Sequence, residues 1–280
     1  MTAPYLTILR PSQWLKNLML FFPPFLGGQL LSLGHVAPGI VPFFAFCLVS
    51  SAGYLCNDIL DRRRDACHPL KKKRPIPSGR VSVTGAGLLC ACLLACGLTL
   101  GGLESRSFLA LLSCYLIVTL LYSTWLKSYP VVDLFCISAG FLLRLQAGGV
   151  VFGITISPWL FLTVFLLSIF LSTGKRLCEY RLLGADATQH RKNLGAYPPG
   201  FLEGTMYMTG GAVLVTYAMY TVNRHTLVYS VPLCCFGLLR YILRIQSGHS
   251  GDPTESLLKD GVLFAVGTVW MVLVAWSIYW

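Results

Sequence analysis

Nine long apolar runs, separated by short polar gaps, decide what this chain can fold into. They fall at about residues 17–34, 39–57, 82–102, 107–126, 131–150, 156–174, 201–222, 227–245 and 261–280. Each is close to the roughly 20 residues that a helix needs to cross the hydrocarbon core of a bilayer. None alternates with the period of a strand, and a lone helix satisfies its own backbone in lipid. The pattern predicts an all-α integral membrane protein of about nine transmembrane helices, a single polytopic domain over residues 1–280. Charged residues make up 12% of the chain, about half the ~25% of a soluble domain, which excludes an ordinary soluble fold. Pro23 and Pro24 interrupt the first run and predict a kink there. That run has no short apolar core followed by a small-residue cleavage site, so it reads as the first span and not as a signal peptide.

The net charge of +11 would suggest nucleic acid in a soluble protein. Here the basic residues sit in the gaps between apolar runs, the pattern that holds cytoplasmic loops on their side of a membrane. No nucleic-acid partner is expected. With the N-terminus inside, Arg10 and Lys16, the eight basic residues from Arg62 to Arg80, Lys127, the five from Lys175 to Lys192, Arg244 and Lys259 all fall in the cytoplasm. Arg106 and Arg224 fall outside. The expectation is a multi-pass inner-membrane protein with cytoplasmic loops at about 58–81, 175–200 and 246–260. Most of the eleven cysteines lie inside apolar runs, with no paired C-x-x-C near histidine, and read as packing residues.

The polar gaps carry the chemistry. Asp58, Asp61 and Asp65 are spaced i, i+3, i+7, which places three carboxylates on one face of a helix. Like charges so close call for cations between them, and hard oxygen donors suit Mg2+ shared with substrate phosphates. Asn57 adds an amide at the same end. The plainer alternative is a solvated helix end, since Arg62, Arg63 and Arg64 are interleaved. His68, Lys71, Lys72, Lys73, Arg74 and Arg80 follow, with Pro69, Pro75 and Pro77 stiffening the turn. Carboxylates for a metal beside cations for phosphate are the two halves of a diphosphate site.

Asp133 and Arg144 are eleven residues apart, near three helical turns, and share a face. Charges at that depth line a polar cavity or pair between helices. Lys175 and Glu179 can pair at i, i+4, leaving Arg176 free for an anion. Arg10-Pro11-Ser12-Gln13-Trp14-Leu15-Lys16-Asn17 is either an interfacial anchor or part of the site. The third loop, Gly251-Asp252-Pro253-Thr254-Glu255 to Lys259-Asp260, is expected to cap the last helix or close the site.

Together these features resemble the UbiA superfamily of membrane prenyltransferases. Asn57-Asp58-x-x-Asp61-x-x-x-Asp65 matches its first aspartate motif, after the second span. The finer resemblance is to the decaprenyl-phosphate phosphoribosyltransferases. It is carried by Arg10-Pro-x-Gln13-Trp14-x-Lys16-Asn17, His68-Pro69-x-Lys71-x-x-Arg74-Pro75-Ile76 and Tyr122-Ser123-x-x-Leu126-Lys127 with Asp133. Gly140-Phe141-x-Leu143-Arg144, Lys175-Arg176-x-x-Glu179 and Gly251-Asp252-Pro253-Thr254-Glu255 extend it over nearly the whole chain. The aromatic prenyltransferases of the superfamily carry a second D-x-x-x-D-like motif after the fourth span, where this chain has Asp133 alone.

The resemblance implies nine helices around a central cavity open to the cytoplasm and to lipid. It implies Mg2+-dependent transfer of phosphoribosyl from phosphoribosyl diphosphate to a polyprenyl phosphate, toward arabinose donors for cell-envelope glycans. On this reading Asp58, Asp61 and Asp65 hold the metal, and Asp58, Asp61, Lys71 and Arg74 are the catalytic set. Arg10, Gln13, Lys16, Asn17, Asn57 and Tyr122 are candidates to bind substrate. So are Lys127, Asp133, Arg144, Lys175, Arg176 and Glu179. The main rival is a prenyl transfer from its diphosphate to an aromatic or other acceptor; a transporter is the distant one, since the charges crowd one membrane face. A homo-oligomer is compatible with the sequence, which does not set the oligomeric state.

Overall fold

The computed structural model describes residues 2–30, 36–67, 71–183, 193–222 and 226–280. His68 and Pro69 of the basic loop, Arg191, Lys192 and Arg224 lie outside these residues, as does the end of the first apolar run. Every regular element among the described residues is helical. The helices are α1 (Thr2–Leu9), α2 (Phe22–Leu26), α3 (Ile40–Leu60), α4 (Arg62–Cys67), α5 (Val83–Glu104), α6 (Arg106–Thr124) and α7 (Val132–Phe152). They continue as α8 (Pro158–Leu183), α9 (Phe201–Val222), α10 (Val231–Gln246), α11 (Pro253–Lys259) and α12 (Gly261–Tyr279).

Seven of the described helices are long and apolar enough to cross a membrane: α3, α5, α6, α7, α8, α10 with the turn before it, and α12. The two remaining runs differ in kind. Phe201–Val222 forms a 22-residue helix, long enough to span, but it carries Glu203, Thr205, Thr209, Thr216 and Thr221 and is not among those seven. The first run is no continuous α-helix. Pro11–Phe21 is a 3-10 helix with proline in its first turn, and among the described residues of the run only Phe22–Leu26 is α-helical. Pro23 and Pro24 bring no N–H to an i→i−4 ladder, so the predicted kink is a change of helix type. The nine-helix count is therefore approximate.

Capping sets several helix starts. The hydroxyls of Ser82 and Ser105 accept from the N–H groups of Gly85 and Phe108, starting α5 and α6. Asp260 caps α12 by accepting from Leu263 N–H. That bond, with Arg244 and Arg240, holds its carboxyl well below the usual range. The loop at about 246–260 thus caps the last helix, through Asp260.

α7 lies at the centre, against α6, α8, α2 and the Pro11–Phe21 segment. One core gathers Leu20, Phe46, Phe108, Leu112, Tyr115 and Ala147 from four elements, and another joins Phe170, Leu177, Met206 and Tyr241 across α8, α9 and α10. α12 is apolar on nearly all sides and little of it is buried, as expected of a helix facing lipid. The fit at α7 is close. A Cβ on Gly148 would run into the Leu20 carbonyl oxygen and lie 2.9 Å from its carbon. Both contacts are backbone, so no rotamer change relieves them. We expect Gly148→Ala to destabilise by about 3 kcal/mol, the upper end for overpacking, read as a lowered melting temperature of the detergent-purified protein.

Candidate active site

Antiparallel packing brings the C-terminal ends of α3, α6, α8 and α10 together with the N-terminal ends of α5, α7, α9 and α12. Asp58, Asp61, Asp65, Lys71, Arg74, Lys127, Asp133, Lys175, Arg176 and Glu179 meet at this end and are linked by ion pairs. α8 runs to Leu183, so Lys175, Arg176 and Glu179 sit on a helix and not in the loop expected from residue 175. Arg176 Nη1 pairs with Glu179 at i+3, 2.9 Å away, which supports the extra turns.

The first cluster surrounds α3's last turn. Asp58 accepts from Arg10 Nη2 at 2.6 and 2.7 Å. Arg74 Nη1 lies 3.1 Å from Asp58 Oδ1 and 2.7 Å from Asp65 Oδ2. Asp61 is held elsewhere: Lys127 Nζ lies 2.7 Å from both its oxygens and 3.2 Å from Asn57 Oδ1. The expected single face of three carboxylates is thus divided: Asp58 and Asp65 share Arg74, and Asp61 has Lys127. Burial pushes the Asp65 carboxyl up, against the pull of Arg74 and Lys71. Arg10 reaches Asp58 from a left-handed backbone (φ 53°, ψ 59°) and stacks 5.0 Å above the Tyr54 ring. Trp14 is drawn inward: its indole N–H donates to Ser51 Oγ at 3.0 Å, and Ser51 donates to Leu9 O at 2.7 Å. Gln13 is half-buried and bonds through its backbone to Arg10 O.

Asp58 and Asp65 have the chemistry of a cation site. A guanidinium nitrogen already sits between their oxygens, and a hard divalent ion asks for that anionic, all-oxygen setting. Among the described residues no three Asp, Glu, His or Cys side chains converge on one point. Two protein carboxylates with oxygens from a substrate phosphate is the coordination such an ion commonly takes.

The second cluster centres on Arg176, which is 3% exposed. Its Nε donates to Asp133 Oδ2 at 2.7 Å and its Nη2 to Tyr122 Oη at 3.0 Å. Lys71 Nζ holds the other oxygen of Glu179 at 2.9 Å. The expected Lys175–Glu179 pair is therefore replaced: Glu179 binds Lys71 and Arg176, and Arg176 is not a free cation. Lys175 reaches across to Asp252 Oδ2 at 3.0 Å. Asp252 also caps α11, accepting from Thr254 and Glu255 N–H through Oδ1. Burial alone would raise the Asp252 carboxyl, but Lys175 and Lys16 bring it below its ordinary value. Gly251 makes the approach to α8 feasible, since a Cβ there would lie 2.8 Å from Lys175 Cα.

Asp133 is fully buried behind Arg176 and does not line the cavity described below. Its Oδ1 accepts from Tyr197 Oη at 2.9 Å, and that hydroxyl accepts from Val131 N–H at 2.8 Å. Burial, then the Asp133 charge, pushes the Tyr197 phenol up, so it stays a neutral donor. Tyr197 was not legible as a site residue; the only signal was a tyrosine in the Pro-Pro-Gly turn before α9. Val131 has φ 66° and ψ −47°, and Val132 N–H bonds Pro130 O at 2.7 Å. This is the rare γ-turn hand, strained for a β-branched residue by roughly 1–3 kcal/mol.

Arg144 is buried in α7 and separate from Asp133 despite their shared helix. It donates to Asn17 Oδ1 (2.7 Å), Gly140 O (2.8 Å) and Tyr115 Oη (2.9 Å), with its guanidinium 4.4 Å from the Tyr115 ring centre. Asn17 is buried too and donates to Cys47 Sγ and Ser50 Oγ. It fixes Arg144 and does not itself reach the cavity.

A cavity of about 210 Å3 lies between α3, α6, α7 and α8. Lys16, Arg144, Lys175 and Arg176 line it, with Tyr54, Tyr115 and Tyr122, an apolar wall that includes Val118, Ile137, Phe141 and Leu171, and no carboxylate. Lys16 keeps some surface through the cavity although its ammonium lies deep among protein atoms. Among the described residues it has no hydrogen bond or ion pair. Burial lowers its pKa, Arg144 and Arg10 add to that, and Asp252 opposes it.

A polar end with paired carboxylates, a cationic cavity and an all-helical membrane frame define a class. The chain matches the model of the UbiA prenyltransferase family over residues 21–265. It belongs to that family and is a membrane transferase. Over 97% of its length it is 31% identical to the "Decaprenyl-phosphate phosphoribosyltransferase" of Corynebacterium glutamicum, covering 85% of that protein. It is 32% identical to the protein of the same name from Mycolicibacterium smegmatis, over 97% of this chain and 91% of that one. Among solved structures, a UbiA homologue from Archaeoglobus fulgidus bound to GPP and Mg2+ superposes with a TM-score of 0.74 over 99% of both chains. At 20% identity that likeness establishes the fold.

Proposed function

We propose that this chain transfers the 5-phosphoribosyl group from phosphoribosyl diphosphate to a polyprenyl phosphate, releasing diphosphate, with Mg2+ as cofactor. The reading treats residues 1–280 as one UbiA-like domain of the inner membrane, its N-terminus and polar end in the cytoplasm. One observation carries it. Four cations and no carboxylate line the cavity, while the acidic groups lie outside it, at the polar end. A cavity so charged asks for anions within it, and donor and acceptor here both bring phosphate. The relatives named above carry the same activity in their names, and the product would feed the making of arabinose donors for cell-envelope glycans.

In this reaction the bond from C1 of the ribose to the diphosphate oxygen breaks, and its electron pair leaves with diphosphate. An oxygen of the lipid phosphate forms the new bond to C1. The acceptor is already an anion, so no general base is needed. A divalent ion on Asp58 and Asp65 would neutralise the leaving group. Arg74 on those two carboxylates, Lys71 on Glu179 and Lys127 on Asp61 exchange partners with the incoming diphosphate and stabilise the charge that develops as the bond breaks. Arg10 orients Asp58. Arg144, Arg176 and Lys16 hold phosphate in the cavity, and the apolar wall takes the first prenyl units.

The test supplies the purified protein with labelled phosphoribosyl diphosphate, polyprenyl phosphate and Mg2+. A labelled lipid is the expected product. No labelled lipid, together with turnover of a prenyl diphosphate and an aromatic acid, would overturn the proposal.

A further inference from the structure

The γ-turn at Val131 is a strained conformation with no glycine to relieve it, at the entry to the helix that carries Asp133. Strain of this kind persists where the surroundings over-determine it. Here a single hydroxyl does so: Tyr197 Oη accepts from the Val131 N–H at 2.8 Å and donates to Asp133 Oδ1 at 2.9 Å. Asp133 then presents its other oxygen to Arg176 Nε at 2.7 Å, and Arg176 faces the cavity. Tyr197 is held in turn, 5% exposed in the α8–α10 core and stacked on Phe201 at 5.5 Å. The relay therefore runs from the start of α9, through the start of α7, to the end of α8.

We infer that Tyr197 is a positioning residue: it holds the Val131 turn and aims the Asp133 carboxylate so that Arg176 is fixed toward substrate. A chain of oriented hydrogen bonds behind a binding group sets its geometry, and loss of one hydrogen bond to a charged group costs about 10- to 100-fold. The inference rests on the phosphoribosyl-transfer reading only for the choice of substrates.

The experiment is a double-mutant cycle on the full chain in lipid nanodiscs. Tyr197→Phe removes only the hydroxyl, and we expect it to lower kcat about 10- to 100-fold. Added to Arg176→Ala it should cause no further loss, because the relay then has nothing to aim. Val131→Gly in the Tyr197→Phe background should restore part of the activity, since glycine takes positive φ without help. The Val131 amide should exchange hydrogen faster in Tyr197→Phe. Activity of Tyr197→Phe within twofold of wild type, losses that multiply with Arg176→Ala, or unchanged exchange at Val131 would each overturn the inference. Should Tyr197→Phe fail to accumulate as folded protein, Asp133→Asn breaks the same relay and enters the cycle in its place. If the wild type uses a prenyl diphosphate instead, the reaction reading fails alone, and the cycle and the exchange measurement are made with that substrate.

Discussion

Asp58→Asn is expected to lower turnover by about 1,000-fold while leaving a folded protein. The side chain keeps its shape but loses the charge that Arg10 and Arg74 share. Loss of one group aimed at developing charge typically costs 100- to 1,000-fold, and on the proposed reading Asp58 would act twice, on a divalent ion and on the two arginines it pairs with. The stability penalty should be smaller than for an enclosed ion pair. Arg74 retains Asp65, and both arginines keep 23–31% of their side-chain surface, so a loss of about 1–3 kcal/mol is expected. Mg2+ separates the two effects. Wild-type protein should gain thermal stability from Mg2+ with inorganic diphosphate, and Asp58→Asn should gain little. Asp61→Asn should also lose turnover, through Lys127, yet keep more of that Mg2+ effect, because Asp61 is paired with Lys127 while Asp58 and Asp65 share Arg74. Near-wild-type activity in both variants would show that metal and diphosphate bind elsewhere.

The helical membrane frame was readable from the apolar runs because burial in lipid leaves the backbone no alternative. That Asp58, Lys71, Arg74 and Lys127 would gather at one end was readable because the charges sit in the gaps between spans. The pairings were not. Sequence spacing favours neighbours on one helix, as in Lys175 with Glu179, but packing offered Lys175 a carboxylate from another loop, Asp252, and gave Glu179 to Lys71, 108 positions away. Spacing also grouped Asp61 with Asp58 and Asp65, but packing gave Asp61 a cation of its own, Lys127, while the other two share Arg74. Tyr197 was invisible for a further reason: its work is done by one hydroxyl bridging two elements, which no local pattern marks. Asn17 was marked by its motif, but as a ligand for substrate, whereas it is a partner for Arg144.

Lys16 yields the remaining large effect, and its sign on stability is opposite to that of Asp58. Among the described residues it is a cationic cavity group with no hydrogen bond or ion pair, and burial lowers its pKa. A charge left unpaired at such a place lowers stability and is retained for what it binds. Lys16→Ala should therefore melt no lower than wild type, and should lose kcat/KM for polyprenyl phosphate by about 100-fold, the upper range for a hydrogen bond to a charged group. The pH dependence follows in sign. The folded-state pKa lies below the unfolded value, so between the two the folded state binds fewer protons and stability rises with pH. Binding runs the other way, because the acceptor needs the ammonium. As pH rises through the lowered pKa, kcat/KM for the acceptor should fall earlier than an ordinary lysine would allow. Lys16→Arg keeps its charge and should shift that fall to higher pH, while Lys16→Ala should lose the stability slope. A Lys16→Ala enzyme that binds polyprenyl phosphate as wild type does would remove Lys16 from the site and leave Arg144 and Arg176 to hold the phosphate.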